Sequence, residues 1–323
     1  MIFNRCLDGY YDVENQLPSY MSKMAAEYFE REDREKKSIQ TKEQFEERRR
    51  RIREHFIDAI GGLDIPKTPL NPMCTGEIDK GKYKIEKIIF ESQPGVYVTS
   101  NLYRPAKIAG KAPGILFACG HAYEAKAGLA YQKVCIDLAL NGFIVLAVDP
   151  TGQGERMQYY NKGTGKIEVG WGTTEHSYGG LQCNLTGSSI ARYFIWDLIR
   201  GLDYLESLPD VDPDRLGITG NSGGGTQTSY MMLMDERLKV AVPCCYITSR
   251  EEYMKTGQAH DSEQNIYGAI VEGINNDDFI SAFAPKPALI GAVESDFFCV
   301  EGTLASYARA KHVYSLYDSI DNI

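Results

Sequence analysis

Gly220-Asn221-Ser222-Gly223-Gly224 carries the residue types and spacing that most directly suggest chemistry. A serine with a glycine two residues away on each side fits a sharp turn from strand to helix, where side chains at the flanks would collide with crowded backbone. A hydroxyl presented on such a turn is a nucleophile for acyl transfer. The bare pattern arises by chance in about one chain in six of this composition, so its context decides. An apolar strand-like run, Leu216 to Thr219, ends just before it, and a helix-forming run follows Gly225.

Acyl transfer also needs donors for the oxyanion and a carboxylate to orient a base. The donors expected here are the amide of Gly223 and a second amide, Ala122 or Tyr123, from the stretch Cys119-Gly120-His121-Ala122-Tyr123. His121 is expected to orient that loop rather than act as the base, because in this layout a base follows the acid on the far side of the sheet. The acid is expected just after a strand over Ala288 to Val293. Asp296 is the choice, with Glu294 as the alternative, and an Asp beside Phe297-Phe298 also suits a plain turn.

The elements that must hold these residues can be read from periodicity. From Leu17 to Gly61 the chain is charged and helical in character, with Thr41 placed to cap a second helix bearing Phe45, Ile52, Phe56 and Ile60. The arginines at 48–51 and 53 alternate with Glu43, Glu46, Glu47 and Glu54, which predicts a solvated, ion-paired face rather than a nucleic-acid site. Residues 1–75 are thus a helical lead-in packed on a main unit covering 76–323. After a loop over Pro66 to Gly81, strands at 83–90 and 96–103 flank Pro94-Gly95 as a hairpin. Strands are then predicted at 114–118, 143–148, 216–219, 238–243 and 288–293, with helices at 129–140, 189–205, 226–234 and 303–317. That alternation predicts an α/β protein with a mostly parallel sheet covered by helices on both faces. Two stretches, 150–188 and 246–284, break the rhythm and are read as cap-like insertions beside the strand ends where ligands bind.

Composition limits the partners. With 35 Lys+Arg against 44 Asp+Glu the net charge is −9, which argues against nucleic acid and anionic membranes, and 43% apolar residues across 323 positions can build a sizeable core. Eight cysteines without paired Cys-x-x-Cys spacing read as reduced thiols, and the opening residues lack an apolar leader, so a cytoplasmic place is expected. No run is long and apolar enough to span a bilayer. No cofactor and no metal are expected: Gly163-Thr164-Gly165-Lys166 has Tyr160 and Ile167 where a phosphate loop needs Gly and Ser/Thr, and Glu175-His176 lacks the second histidine of a helical zinc site.

Taken with the serine turn, two further segments carry a resemblance. Asp149-Pro150-Thr151-Gly152-Gln153-Gly154-Glu155 resembles the Arg-Gly-Gln-Gly stretch of carbohydrate deacetylases, with Thr151 in place of the arginine, and Asp261-Ser262-Glu263-Gln264-Asn265 resembles an acidic segment of related bacterial esterases. Over residues 75 to 323 the chain resembles serine hydrolases of the α/β-hydrolase fold, in the dienelactone hydrolase/acetyl xylan esterase-like group. The resemblance implies a carboxylic ester hydrolase working through an acyl-enzyme on small esters, acetylated sugars or oligosaccharides, with Ser222 as nucleophile and Asp296 as acid. It marks His121, Trp171, His176, His260 and Glu263 as candidates for substrate contact. Tyr159, Tyr160, Trp171 and Tyr178 suit either stacking on sugar rings or packing within a cap.

The same resemblance places the catalytic histidine after an eighth strand, and the chain ends at Asp321-Asn322-Ile323, where that strand would begin. None of His55, His121, His176, His260 and His312 takes the position. The expectation is a C-terminally shortened form lacking the last strand. Two other readings follow: a peptidase of the prolyl oligopeptidase type, weakened by the lack of propeller-like repeats, and a non-catalytic binding protein on the same fold.

Overall fold

A computed structural model describes residues 15–323. The opening segment read above for a leader, together with Cys6, lies outside the described residues. The described residues open with α1 (Gln16–Ser38) and α2 (Lys42–Ala59), separated by the cap that Thr41 forms. The Thr41 hydroxyl accepts from the Gln44 amide at 3.3 Å, and the Gln44 side chain accepts from the Thr41 amide at 3.2 Å, so both free donors at this helix start are satisfied. Phe45, Ile52, Phe56 and Ile60 lie on one face of the turn sequence and are all buried in the main core. Phe56 packs against Tyr230 and Phe279, with ring centroids 4.9 and 5.5 Å away.

Arg48 departs from the expected solvated face. It shares the inner face with Phe45 and Ile52, is only 3% exposed, and lies against Asp278 and Glu35, whereas Arg50, Arg51 and Arg53 are exposed.

After α2 come β1 (Met73–Asp79), β2 (Tyr83–Gln93), β3 (Val96–Pro105), β4 (Ala112–Ala118), α3 (Leu129–Leu140) and β5 (Ile144–Val148). A small ribbon, β6 (Tyr160–Asn161) with β7 (Lys166–Ile167), precedes α4 (Thr173–Leu185) and α5 (Ile190–Ser207). The chain continues through β8 (Val211–Asn221), α6 (Gly223–Met234), β9 (Leu238–Cys244), α7 (Arg250–Lys255), α8 (Asn276–Ser281) and α9 (Val300–Leu316). The large sheet runs β1-β2-β3-β5-β4-β8-β9. Its β1 to β3 side is antiparallel and joins β5 antiparallel, while β5, β4, β8 and β9 are mutually parallel. Helices cover both faces. One face packs Ile115, Phe117 and Val145 on Cys135 and Ala139 of α3, and the other packs Leu116, Leu146 and Ile218 with α2, α5 and α6. The fold is an α/β-hydrolase fold, and the C-terminal ends of its four parallel strands converge on the loops that carry the candidate site.

Three expectations need correction. The stretch read as a loop over Pro66 to Gly81 contains β1, a strand exposed along both faces and therefore lacking the alternation that would have marked it. The stretch over Ala288 to Val293 is not a regular strand: it meets β9 through only two parallel bridges, Ala241 with Ala288 and Cys244 with Gly291, and Leu289 and Val293 are 63% and 53% exposed. Residues 246–284 are not only a cap, because α8 places Phe279 and Ile280 in the main core. Its short length and polar composition, Asn-Asp-Asp-Phe-Ile-Ser, hide that role. Among the described residues no helix is long and apolar enough to cross a membrane.

Candidate active site

Ser222 joins β8 directly to α6, with φ 56° and ψ −120°. For a residue other than glycine this left-handed conformation is strained, and it persists only where the surroundings hold it. Two constraints do so. The Ser222 amide donates to Cys244 O at the end of β9, at 2.9 Å, and the glycines beside it allow backbone to pass against backbone. A Cβ on Gly224 would stand 2.1 Å from Ala118 O, and one on Gly220 would stand 2.5 Å from the same oxygen. Glycine at both positions is therefore what lets the serine turn press against the end of β4.

The loop after β4 is clamped by side chains and backbone around it. Gln153 Nε2 donates to Gly120 O at 2.7 Å and to Ala122 O at 2.8 Å, the Gly154 amide donates to Tyr123 O, and Gln227 of α6 donates to Cys119 O at 3.1 Å. Four carbonyls in five residues are thus tied down, which fixes the orientation of each intervening peptide. Among the described residues no acceptor takes the amides of Ala122, Tyr123 or Gly223, the last because it opens α6. Asp149 holds the clamp itself: wholly buried, it accepts from the Lys126 amide and ammonium and from Thr99 Oγ1 at 2.6 Å.

His121 lies over the start of α6. A Cβ on Gly223 would be 2.7 Å from its Cε1, so the imidazole rests on the glycine that follows the serine. Its Nε2 is 2.8 Å from Glu263 Oε1, and its Nδ1 is 3.5 Å from Asp261 Oδ2. Glu263 also faces His176, whose Nδ1 is 3.2 Å from Oε2 and whose Nε2 is 2.9 Å from Thr151 O. Burial pushes the Glu263 carboxyl up, but His121, with its charge and hydrogen bond, and the charge of His176 outweigh it and hold the group well below the ordinary carboxylate range. Burial likewise pushes His121 down, and Glu263 and Asp261 more than reverse this, leaving it raised. Helix α6 brings Glu263 here: Tyr230 donates to Glu263 O at 3.0 Å, and Gln264 Nε2 donates to Thr226 Oγ1 at 3.1 Å. Gly180 of α4 lets the same segment close in, since a Cβ there would be 1.8 Å from Ser262 Oγ.

The remaining sequence candidates are scattered around this centre. Asp296 sits beside Cys245, one residue beyond the carbonyl that holds Ser222, and with burial it pushes that thiol up to about 11. Glu294 is exposed. Among the described residues no histidine pairs with either carboxylate. His260 stacks on Tyr253 with a centroid distance of 4.2 Å, and burial together with Arg250 pushes it down to about 4. It lines a cavity of about 770 Å³ with Ser188, Arg250 and Tyr267, none of which belongs to the serine turn. His55 meets Glu272 at 3.0 Å, and His312 bonds to Ile39 O. Glu263 and His176 are buried and bonded to one another's neighbours, so they support the site rather than face a substrate. Trp171 is half-exposed and meets the ring of Tyr123 edge to face at 5.7 Å, next to the clamped loop. Sequence reasoning missed Gln227, Lys126 and the holding role of Gln153. The Gly-Gln-Gly signal marked the last position without revealing what the amide does.

The fold and the serine turn define an α/β hydrolase. A model of the acetyl xylan esterase (AXE1) family matches residues 70–267, more than half of the chain, and the chain belongs to that family. Among curated relatives it is 28% identical over 211 residues to "Putative hydrolase YtaP" of Bacillus subtilis (strain 168), a match covering 62% of this chain and 64% of the relative. The chain thus spans under two thirds of that relative's length. Among solved structures, "a putative acetyl xylan esterase" from Bacteroides fragilis NCTC 9343 superposes with a TM-score of 0.70 at 16% identity, covering 99% of this chain and 83% of the other. Methylesterase BT1017 superposes with a TM-score of 0.69 at 22% identity, over 92% of this chain and 62% of the other. At these identities the superpositions speak for the fold.

Proposed function

We propose that the chain is a serine carboxylic ester hydrolase that removes acetyl groups from sugars or short oligosaccharides. The observation that carries this reading is the strained turn at Ser222 beside a loop whose carbonyls are pinned. Ser222 Oγ attacks the ester carbonyl, its proton ending on the departing sugar oxygen, and the amides of Gly223 and of Ala122 or Tyr123 receive the oxyanion. Loss of the sugar alcohol leaves an acetyl-serine, which water hydrolyses to acetate. Asp296, whose carboxylate lies beside the Cys245 thiol, is the acid in this reading.

Membership of the family supports acetylated sugars as the substrate class, and the half-exposed rings of Tyr123 and Trp171 suit stacking on a sugar ring. The free cysteines among the described residues fit a reducing, cytoplasmic setting, and so a substrate small enough to be imported. The test is turnover of acetylated xylo-oligosaccharides against octanoyl esters of the same sugars. Expected is a kcat/KM at least about 10-fold higher for acetyl, the scale of discrimination a few methylenes allow. Preference for octanoate, or no turnover of either, would reject the proposal.

Gln153 gives a second test. Gln153→Ala frees the carbonyls of Gly120 and Ala122, so the loop amides lose their fixed aim. The expected result is a fall in kcat of about 10-fold or more with KM little changed, the signature of an interaction made in the transition state. A change confined to KM would show that Gln153 shapes binding alone.

A further inference from the structure

We propose that His121, His176 and Glu263 bind a divalent transition-metal ion of the zinc type, which fastens both insertions to the loop after β4. The three residues come from three segments: the clamped loop, α4, and the stretch between α7 and α8. Their donor atoms all lie within 4.8 Å of one another, and His176 and Glu263 are 1% and 2% exposed.

The proton inventory of His176 leads to the ion. Its Nε2 is 2.9 Å from the Thr151 carbonyl, which only accepts, so that nitrogen carries the hydrogen. In the neutral ring Nδ1 is then a bare lone pair, and it faces the carboxylate oxygen Glu263 Oε2 at 3.2 Å. Neither atom has a hydrogen-bond partner, although both are buried. Two buried acceptors turned toward each other are costly unless something positive lies between them. The two atoms make no hydrogen bond with each other, so the pair as it stands leaves both unsatisfied and does not complete the site. An ion lying off the line between them does. Bonds of about 2.0–2.1 Å from a zinc ion to each atom, closed over their 3.2 Å separation, subtend roughly 100°, near the tetrahedral angle.

Both imidazoles are also held as metal ligands are held. With Nδ1 of His176 on the ion, its Nε2–H stays on Thr151 O. With Nε2 of His121 on the ion, its Nδ1 faces Asp261 Oδ2 at 3.5 Å. A carbonyl or carboxylate behind each ligating ring fixes its tautomer and direction. The buried acids Glu32, Asp277 and Asp278 make the contrasting case. Lys36 lies 2.7, 2.6 and 3.1 Å from them and already supplies the positive charge.

The test reads metal binding and stability, so its outcome is separate from that of the esterase assay. The whole chain, stripped with dipicolinate, is titrated with ZnCl2 by calorimetry while thermal unfolding is followed, and a second sample is loaded with Co2+. Expected are one equivalent bound per chain, a higher Tm with the ion, and a four-coordinate Co2+ spectrum without a thiolate charge-transfer band. The His121→Gln/His176→Gln variant is expected to bind at least about 100-fold more weakly. Absence of stoichiometric uptake overturns the proposal, as does uptake unchanged in the double variant or a spectrum dominated by thiolate, which would place the ion on cysteines. Should the double variant not fold, the wild-type stoichiometry and Co2+ spectrum decide.

Discussion

Ser222→Ala is expected to lower turnover of an acetylated sugar by about 10³-fold or more and to abolish covalent labelling by a fluorophosphonate. The strain at Ser222 is the reason to expect so much from one oxygen. The turn is held by the Cys244 carbonyl and by the Ala118 carbonyl, which stands 2.1–2.5 Å from where Cβ atoms on Gly224 and Gly220 would lie, so the surroundings, not the hydroxyl, maintain it. Replacing serine by alanine therefore removes the nucleophile and leaves the oxyanion amides in place. Circular dichroism and Tm should be unchanged, which separates lost chemistry from lost fold. Labelling that survives the substitution, or turnover within about 10-fold of the parent, would show that another residue attacks.

Arg48→Met is expected to reduce the free energy of unfolding by about 3 kcal/mol or more, read as a lower midpoint in urea. Arg48 donates to both oxygens of Asp278 at 3.0 and 3.2 Å, to Gly273 O at 2.7 Å and to Glu35 at 2.7 Å, all in a setting where Arg48 and Asp278 are nearly inaccessible to water. Removing the guanidinium leaves the Gly273 carbonyl without its donor and Asp278 without its closest charged partner, the Lys36 ammonium remaining at 3.1 Å. Arg51 supplies the control, since it lies one turn along, is exposed, and pairs with the same Glu35. Arg51→Met should cost well under about 1 kcal/mol. Equal effects from the two substitutions would show that α1 and α2 are not joined to the core through Asp278.

The serine turn was legible in the sequence because its requirements are local. Strand, sharp turn, helix and flanking glycines all fall within a dozen residues, and the conformation at Ser222 follows from them. The buried strands and helices between residues 112 and 244 were legible for the same reason, whereas α4, within the stretch read as an insertion, was not. Thr41 could be placed as a cap from its position before the second helix, and the structure adds Gln44 as its reciprocal partner.

What the sequence could not reveal depends on contacts between distant segments. Strand β1 is exposed on both faces, so no alternation marks it. Arg48 looked like its exposed neighbours because burial by Asp278, 230 residues away, leaves no local trace. The same is true of the site. Glu175-His176 was set aside as lacking a second histidine at helical spacing, yet the partner imidazole is His121, on the loop after β4, and Glu263 joins the two from a third segment. Gln153 had a neighbourhood that signalled function, but only the folded chain shows its amide gripping two carbonyls of the loop opposite Ser222. Hydrophobic period and turn chemistry act over a few residues and can be read along the chain. Hydrogen bonds and charge pairs between loops exist only once the parallel strands have brought their ends together, and at this site the tertiary structure alone decided them.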